Sequence, residues 1–173
     1  KPKVCTNWRL IVVNIIKKYP LEISICNYCG LTQQTKLVNQ SVLNKIYTAN
    51  YYSCPCPHKS GMGIREIKKF LDFFYNCKNH PGKILEIGCF DGYVIKELAR
   101  KNWDVYGCDP SPSINNVIKI FGKKKIKKTF FSSTTYPKKC FDVIIFRNLL
   151  EHIYDLNGFL YNVNQSLKNN GKI

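Results

Sequence analysis

The chain has 173 residues, 45% of them apolar and 22% charged, which is enough to bury the core of one domain, or of one domain with a small appendage, and excludes disorder as the default. Its formal net charge of +16 keeps nucleic acid among the partners to be weighed. No apolar run approaches the roughly 20 residues that a bilayer span needs.

Residues 1–60 hold clusters of Cys, Pro and Tyr with little helical period, and Leu10–Ile16 there is interrupted by Asn14 and followed by Lys17 and Lys18. No small-residue cleavage site follows it, so neither a signal peptide nor a membrane segment is expected, and the chain reads as cytoplasmic. From about residue 61 strands and helices alternate, which divides the chain into a Cys/Tyr-rich segment, 1–60, and a second domain, 61–173. Ile64, Ile67, Phe70, Leu71 and Phe74 recur at helical spacing and predict a helix over about 62–76. Asn79-His80-Pro81-Gly82 breaks the chain before a short buried strand at 84–87.

Val94, Ile95, Leu98 and Ala99 give one apolar face to a helix starting near Gly92, and 105–108 form a second strand. Ile114, Val117, Ile118 and Phe121 make the next helical stripe, with Ser111 or Ser113 as its N-cap. Residues 126–131 read as a weak third strand and 141–146 (FDVIIF) as a strong fourth. Leu156, Phe159, Leu160, Val163 and Leu167 predict a last helix closed by Asn169-Asn170-Gly171. This alternation means an α/β fold with a Rossmann-like parallel sheet and crossover helices, and no internal repeat is present. The chain begins at Lys1 and stops at Gly171-Lys172-Ile173, as at the start of a further strand, so a fragment is expected, with the fourth strand left as a hydrophobic edge.

Nine cysteines occur, at 5, 26, 29, 54, 56, 77, 89, 108 and 140; an odd number, where no signal peptide is expected, argues against a disulfide framework. Cys89 and Cys108 sit at strand ends and read as small core residues. The lysines are scattered, and Lys, Asn, Ile and Tyr are abundant together, as AT-rich coding gives. The one concentrated run, 123–128 (KKKIKK), falls where an exposed turn is expected, so a solvated loop is preferred to a phosphate-contacting patch.

Glu86-Ile87-Gly88-Cys89-Phe90-Asp91-Gly92 is the segment with the strongest chemical content. Gly88 lets the backbone turn off a strand and Gly92 lets the next helix pack closely. The N–H groups between them are expected to face the amino-acid end of a cofactor. A pyrophosphate-binding turn usually carries Gly where Phe90 stands, so a dinucleotide is disfavoured. Asp109, seventeen residues past Gly92, can accept hydrogen bonds from both hydroxyls of a ribose. A merely structural turn with an exposed Asp is the alternative.

LEIGCFDGYV, YGCDPS, FDVIIFRNLLEHI and SLKNNGKI resemble, in order over residues 83–173, the motifs of class I S-adenosylmethionine (SAM)-dependent methyltransferases. That resemblance implies SAM as cofactor, held by Glu86, Gly88, Cys89, Phe90, Asp91, Gly92, Asp109 and Pro110 and by the backbone at Arg147 and Asn148. YPLEISICNYCGLTQQ, residues 19–34, followed by a Tyr-rich stretch, resembles the front of sugar C-methyltransferases with an N-terminal zinc-binding domain. Those enzymes methylate carbon in nucleotide-linked keto-deoxysugars.

Cys26-x-x-Cys29-Gly30 has the geometry of a zinc knuckle, and the resembled family pairs it with a second Cys-x-x-Cys that is absent here. Cys54, Cys56 or His58 could complete a site, or Cys26 and Cys29 are an orphaned half-site or buried thiols. His152, in Glu151-His152 after the fourth strand, could remove a proton alpha to a sugar ketone, or simply pack the start of the last helix. Tyr51 or Tyr52 corresponds to a tyrosine that the sugar enzymes place over the active site; otherwise both are core aromatics. In that family the chain continues through three more strands and a second domain that carries much of the sugar site.

The sequence therefore points to SAM-dependent methyl transfer to a small molecule, C-methylation of a nucleotide sugar among the options. The other readings are a small-molecule O- or N-methyltransferase, an RNA or tRNA methyltransferase, and a SAM-binding fragment without turnover.

Overall fold

The computed structural model describes residues 8–13, 21–34, 41, 44, 48, 61–78 and 80–173. The chain separates into two compact units, residues 1–42 and 43–173. In the first, β1 (Trp8–Val13), β2 (Leu21–Cys26) and β3 (Thr32–Gln34) form an antiparallel sheet in the order β1-β2-β3. Residues 10–13 of the apolar stretch Leu10–Ile16 thus lie in a strand, and no helix among the described residues is long and apolar enough to cross a membrane.

The second unit is built on a five-stranded sheet in the order β6-β5-β4-β7-β8, every pairing parallel. Its strands are β4 (Lys83–Ile87), β5 (Asp104–Cys108), β6 (Ile126–Lys127), β7 (Phe141–Phe146) and β8 (Leu167–Lys172). The helices are α1 (Gly61–Cys77), α2 (Tyr93–Arg100), α3 (Asn115–Phe121) and α4 (Leu156–Ser166). Side chains alternate across the sheet, so β4 sends Ile84 to one core and Leu85 to the other. The first core joins Ile84, Val143 and Ile145 to Ile67, Leu71 and Phe74 of α1, Val94, Ile95 and Leu98 of α2, and Val117 of α3. On the opposite face Leu85, Ile87 and Ile144 meet Phe159 and Val163 of α4 and the loop residue Tyr136. The Tyr136 hydroxyl bonds the carbonyls of Gly107 and Lys125 at 2.5 and 3.0 Å and so ties β5 to the approach to β6.

Two expectations change. The last helix ends at Ser166, and the segment read as its cap runs on as β8, where Leu167 pairs with Phe141 and Lys172 with Val143 across an irregular register. Pairing with β7 overrides the local cap signal of Asn169-Asn170-Gly171. The hydrophobic edge expected at β7 is therefore covered. The third strand is shorter than expected, two residues at 126–127, because the chain leaves the sheet at Lys128.

Candidate functional site

Order in the sheet fixes where a site can form. From β4 the chain winds outward through β5 and β6, then crosses to β7 on the other side of β4, so the winding reverses between β4 and β7. In open parallel sheets a crevice opens at the carboxyl ends of the strands at such a reversal. The turn 88–92 leaves β4 there. Gly88 (φ 74°) and Gly92 (φ 69°) occupy the left-handed region. A Cβ on Gly92 would come within 2.6 Å of Val117 Cγ1, and one on Gly88 within 3.3 Å of Leu149 Cδ1. Phe90 also has a positive φ, 49°, a conformation that costs a residue with a side chain about 1 kcal/mol.

Asp109 holds Phe90 in place. Its Oδ2 accepts the Phe90 N–H at 2.9 Å, and its Oδ1 accepts the Ser111 N–H at 2.8 Å in an Asx-turn through the half-buried Pro110. The Gly88 and Cys89 amides donate to the Cys108 carbonyl at 2.8 and 3.3 Å, and the Gly92 amide to the Cys89 carbonyl at 2.7 Å. The expectation that the turn's N–H groups face a ligand therefore changes: four of them are engaged within the fold. What the carboxyl edge offers is acidic side chains, Glu86 and Asp109, 5% and 8% exposed. Each Asp109 oxygen keeps acceptor capacity beside its backbone partner.

Glu86 lies on the α1–α3 face of β4. Burial pushes its carboxyl up to about 8, the Arg147 guanidinium opposes that shift, and the charges of Asp109 and Asp91 add to it. Glu86 Oε2, Ser111 Oγ and Arg147 Nε are buried without a hydrogen-bond partner among the described residues. Arg147 stands at the exit of β7 with its guanidinium 4.9 Å from the centre of the Phe70 ring on α1. Burial also pushes the Cys89 and Cys108 thiols up, so both remain neutral core groups, as their places at strand ends suggested. Asp91, one residue before the Gly92 N-cap of α2, accepts the Tyr93 N–H at 3.3 Å, and its own carbonyl accepts the Lys96 ammonium at 3.0 Å.

Asn148 follows Arg147 at φ 48°, and His152 ends the short 3-10 turn Leu150–His152, exposed and 3.9 Å from Glu151 Oε1. Tyr51 and Tyr52, with Cys5, Cys54, Cys56 and His58, lie outside the described residues. Cys26 is buried at the end of β2 and Cys29 exposed on the turn that follows. No group of three or more metal-ligating side chains occurs among the described residues, so these two thiols do not make a zinc site by themselves. Ser111 and Phe70 were not expected at the site. Asp-Pro-Ser is an Asx-turn signal that could have given Ser111, whereas Phe70 is set only by the packing of α1 on β7.

Residues 61–173, well over half of the chain, match the family described as methyltransferase domain. The chain belongs to that family. SAM is the cofactor of that family, and the described fold is the family's Rossmann-like α/β sheet. Among curated relatives, the ubiquinone biosynthesis O-methyltransferase of Pelagibacter ubique (strain HTCC1062) is 34% identical over 117 residues, 62% of this chain and 49% of the relative. The chain thus spans about half the length of that methyltransferase. Among solved structures, the PH0226 protein of Pyrococcus horikoshii OT3 is 22% identical with a TM-score of 0.58, over 71% of this chain and 63% of that one. The magnesium protoporphyrin IX methyltransferase (ChlM) of Synechocystis PCC 6803, solved with bound SAM, is 12% identical with a TM-score of 0.57, over 78% and 74%. At these identities the two structures speak for the methyltransferase fold alone.

The donor set suits the family's cofactor. The ammonium group and both ribose hydroxyls of SAM are hydrogen-bond donors, and the edge presents two buried carboxyls, one with an unpartnered oxygen.

Proposed function

We propose that this chain binds SAM at the carboxyl edge of β4 and β5 and transfers its methyl group to an oxygen of a small molecule. The observation that carries the reading is Asp109, which bridges the Phe90 and Ser111 amides and so fixes an acidic side chain beside the Gly88–Gly92 turn. In this reading Asp109 accepts from the ribose hydroxyls and Glu86 from the ammonium group. Gly88, Cys89, Phe90, Asp91, Gly92 and Pro110 shape the wall of the pocket, and the backbone at Arg147 and Asn148 closes it. SAM supplies an electrophilic methyl on a sulfonium. The acceptor hydroxyl must lose its proton as the new bond forms, and His152, exposed on the 3-10 turn after β7, is our candidate base for it.

Oxygen replaces carbon as the first choice because the relative matched above is an O-methyltransferase, of ubiquinone biosynthesis by its name. Hydroxylated ring compounds of that kind are the acceptor class to test first. The C-methylation reading rests on Cys26, Cys29, Tyr51 and Tyr52, and the described residues add no further zinc ligand to it. A transfer assay with methyl-labelled SAM distinguishes them. Label should pass to a hydroxylated ring acceptor and not to a nucleotide-linked keto-deoxysugar, and His152→Ala should lower the rate by about a hundredfold or more. Label on the sugar alone would reverse the choice.

A further inference from the structure

Among the described residues, two of the three buried side-chain polar atoms without partners lie on or beside neighbouring strands of the site, Glu86 Oε2 on β4 and Arg147 Nε just past β7. In the β4–β7 register Glu86 lies opposite Ile145. Arg147, two residues further, therefore falls diagonally ahead of Glu86 on the same face, the one that α1 covers. Its Nε is buried. The guanidinium lies over the Phe70 ring at 4.9 Å, a planar cation on a π face, which fixes the charge in place.

We propose that Arg147 is a positioning residue for the cofactor: seated on Phe70, it supplies the counter-charge that lets buried Glu86 ionise when the cofactor's ammonium group arrives. The inference rests on the reading of this edge as a SAM site. The groups that act on Glu86 come from every side. Arg147 attracts from β7, Asp109 repels from the end of β5 and Asp91 from the turn, and the Ile95 amide of α2 donates to it. Cys89 also faces Glu86 and stays a neutral thiol. Burial places the carboxyl near 8 even with Arg147 present. Without the guanidinium, burial and two acids would act against one backbone amide, and the ammonium would meet a neutral acid. A neutral acid can donate or accept one hydrogen bond there but offers no charge.

Calorimetric titration with S-adenosylhomocysteine from pH 6 to pH 9, on the wild-type protein, Arg147→Met and Arg147→Lys, tests this. Methionine keeps the stem length and removes the charge. The wild-type affinity should rise with pH as Glu86 ionises. The Arg147→Met curve should be displaced upward by about one pH unit, a loss of about tenfold near pH 7 that shrinks by pH 9. Arg147→Lys should regain most of it. Titration of the ligand's own amine is common to all three proteins and cancels in the ratio. Parallel curves for wild type and Arg147→Met would overturn the inference while leaving the SAM site standing. Absence of binding by the wild-type protein at every pH would remove the SAM site itself, and the role of Arg147 with it.

Discussion

Glu86 is held at 5% exposure between Arg147 and two other acids, and that has a cost in stability with a definite sign. Its folded value of about 8 lies above the ordinary 4.5, so the protonated form is favoured in the folded state. The contribution is full below the unfolded value and is lost as pH rises through about 8. Between pH 5 and pH 9 the ligand-free protein should lose roughly 3–5 kcal/mol through this one group, at ~1.4 kcal/mol per unit. Glu86→Gln should flatten that slope, which denaturant unfolding across the range would read; an unchanged slope would show that the carboxyl is not buried as described. At this scale the spacing of Gly88, Gly92 and Asp109 was legible because each answers a local demand, a turn or a strand end. Arg147 was legible only through its motif, and its seat on Phe70 was not, because that contact forms only once α1 packs on β7. The role first assigned to the turn's amides also changed, since a sequence does not say which N–H groups the fold itself will use.

Among the elements, α2 and α3 are set against the turn through Gly92, where an added methyl would meet Val117 and a left-handed backbone as well. Gly92→Ala should therefore destabilise the domain by about 2–4 kcal/mol, the sum of backbone strain and overpacking. A melting temperature within a degree of wild type would contradict the close packing of α3 on the turn. Gly107 was quoted only within its motif, yet a Cβ there would meet Ile95 Cδ1 and, at 2.8 Å, Cys89 Sγ. The buried strands β4, β5 and β7 were legible as short apolar runs, and α1, α2 and α4 as 3.6-residue stripes. By contrast β8 reads Lys-Asn-Asn-Gly, a cap by composition, and only its pairing with Phe141 and Val143 makes it a strand. The antiparallel sheet of residues 8–34 was not foreseen, although its runs WRLIVV and LEISIC are rich in β-branched residues.

Across the whole molecule the charge of +16 is spread rather than focused. Within the 123–128 run Lys125 pairs with Asp104 at 2.7 Å and Lys127 lies over the Tyr136 ring, so the run is partly folded into the sheet's rim and not a free basic strip. Residues 123–125 form the turn that was expected there, whereas 126–127 are β6 with Ile126 buried, so the run is a solvated turn only in part. The two buried carboxyls at the carboxyl edge suit a ligand made of hydrogen-bond donors. The most direct measurement of that claim is calorimetric titration of the purified protein with SAM, beside an Asp109→Ala variant whose folding is checked by circular dichroism. One site per chain is expected in the wild type, and a loss of about a hundredfold in affinity for the folded variant, which lacks both the ribose acceptor and the clamp on Phe90. A folded wild-type protein that gives no heat of binding, or a variant that binds as well as wild type, would contradict that claim.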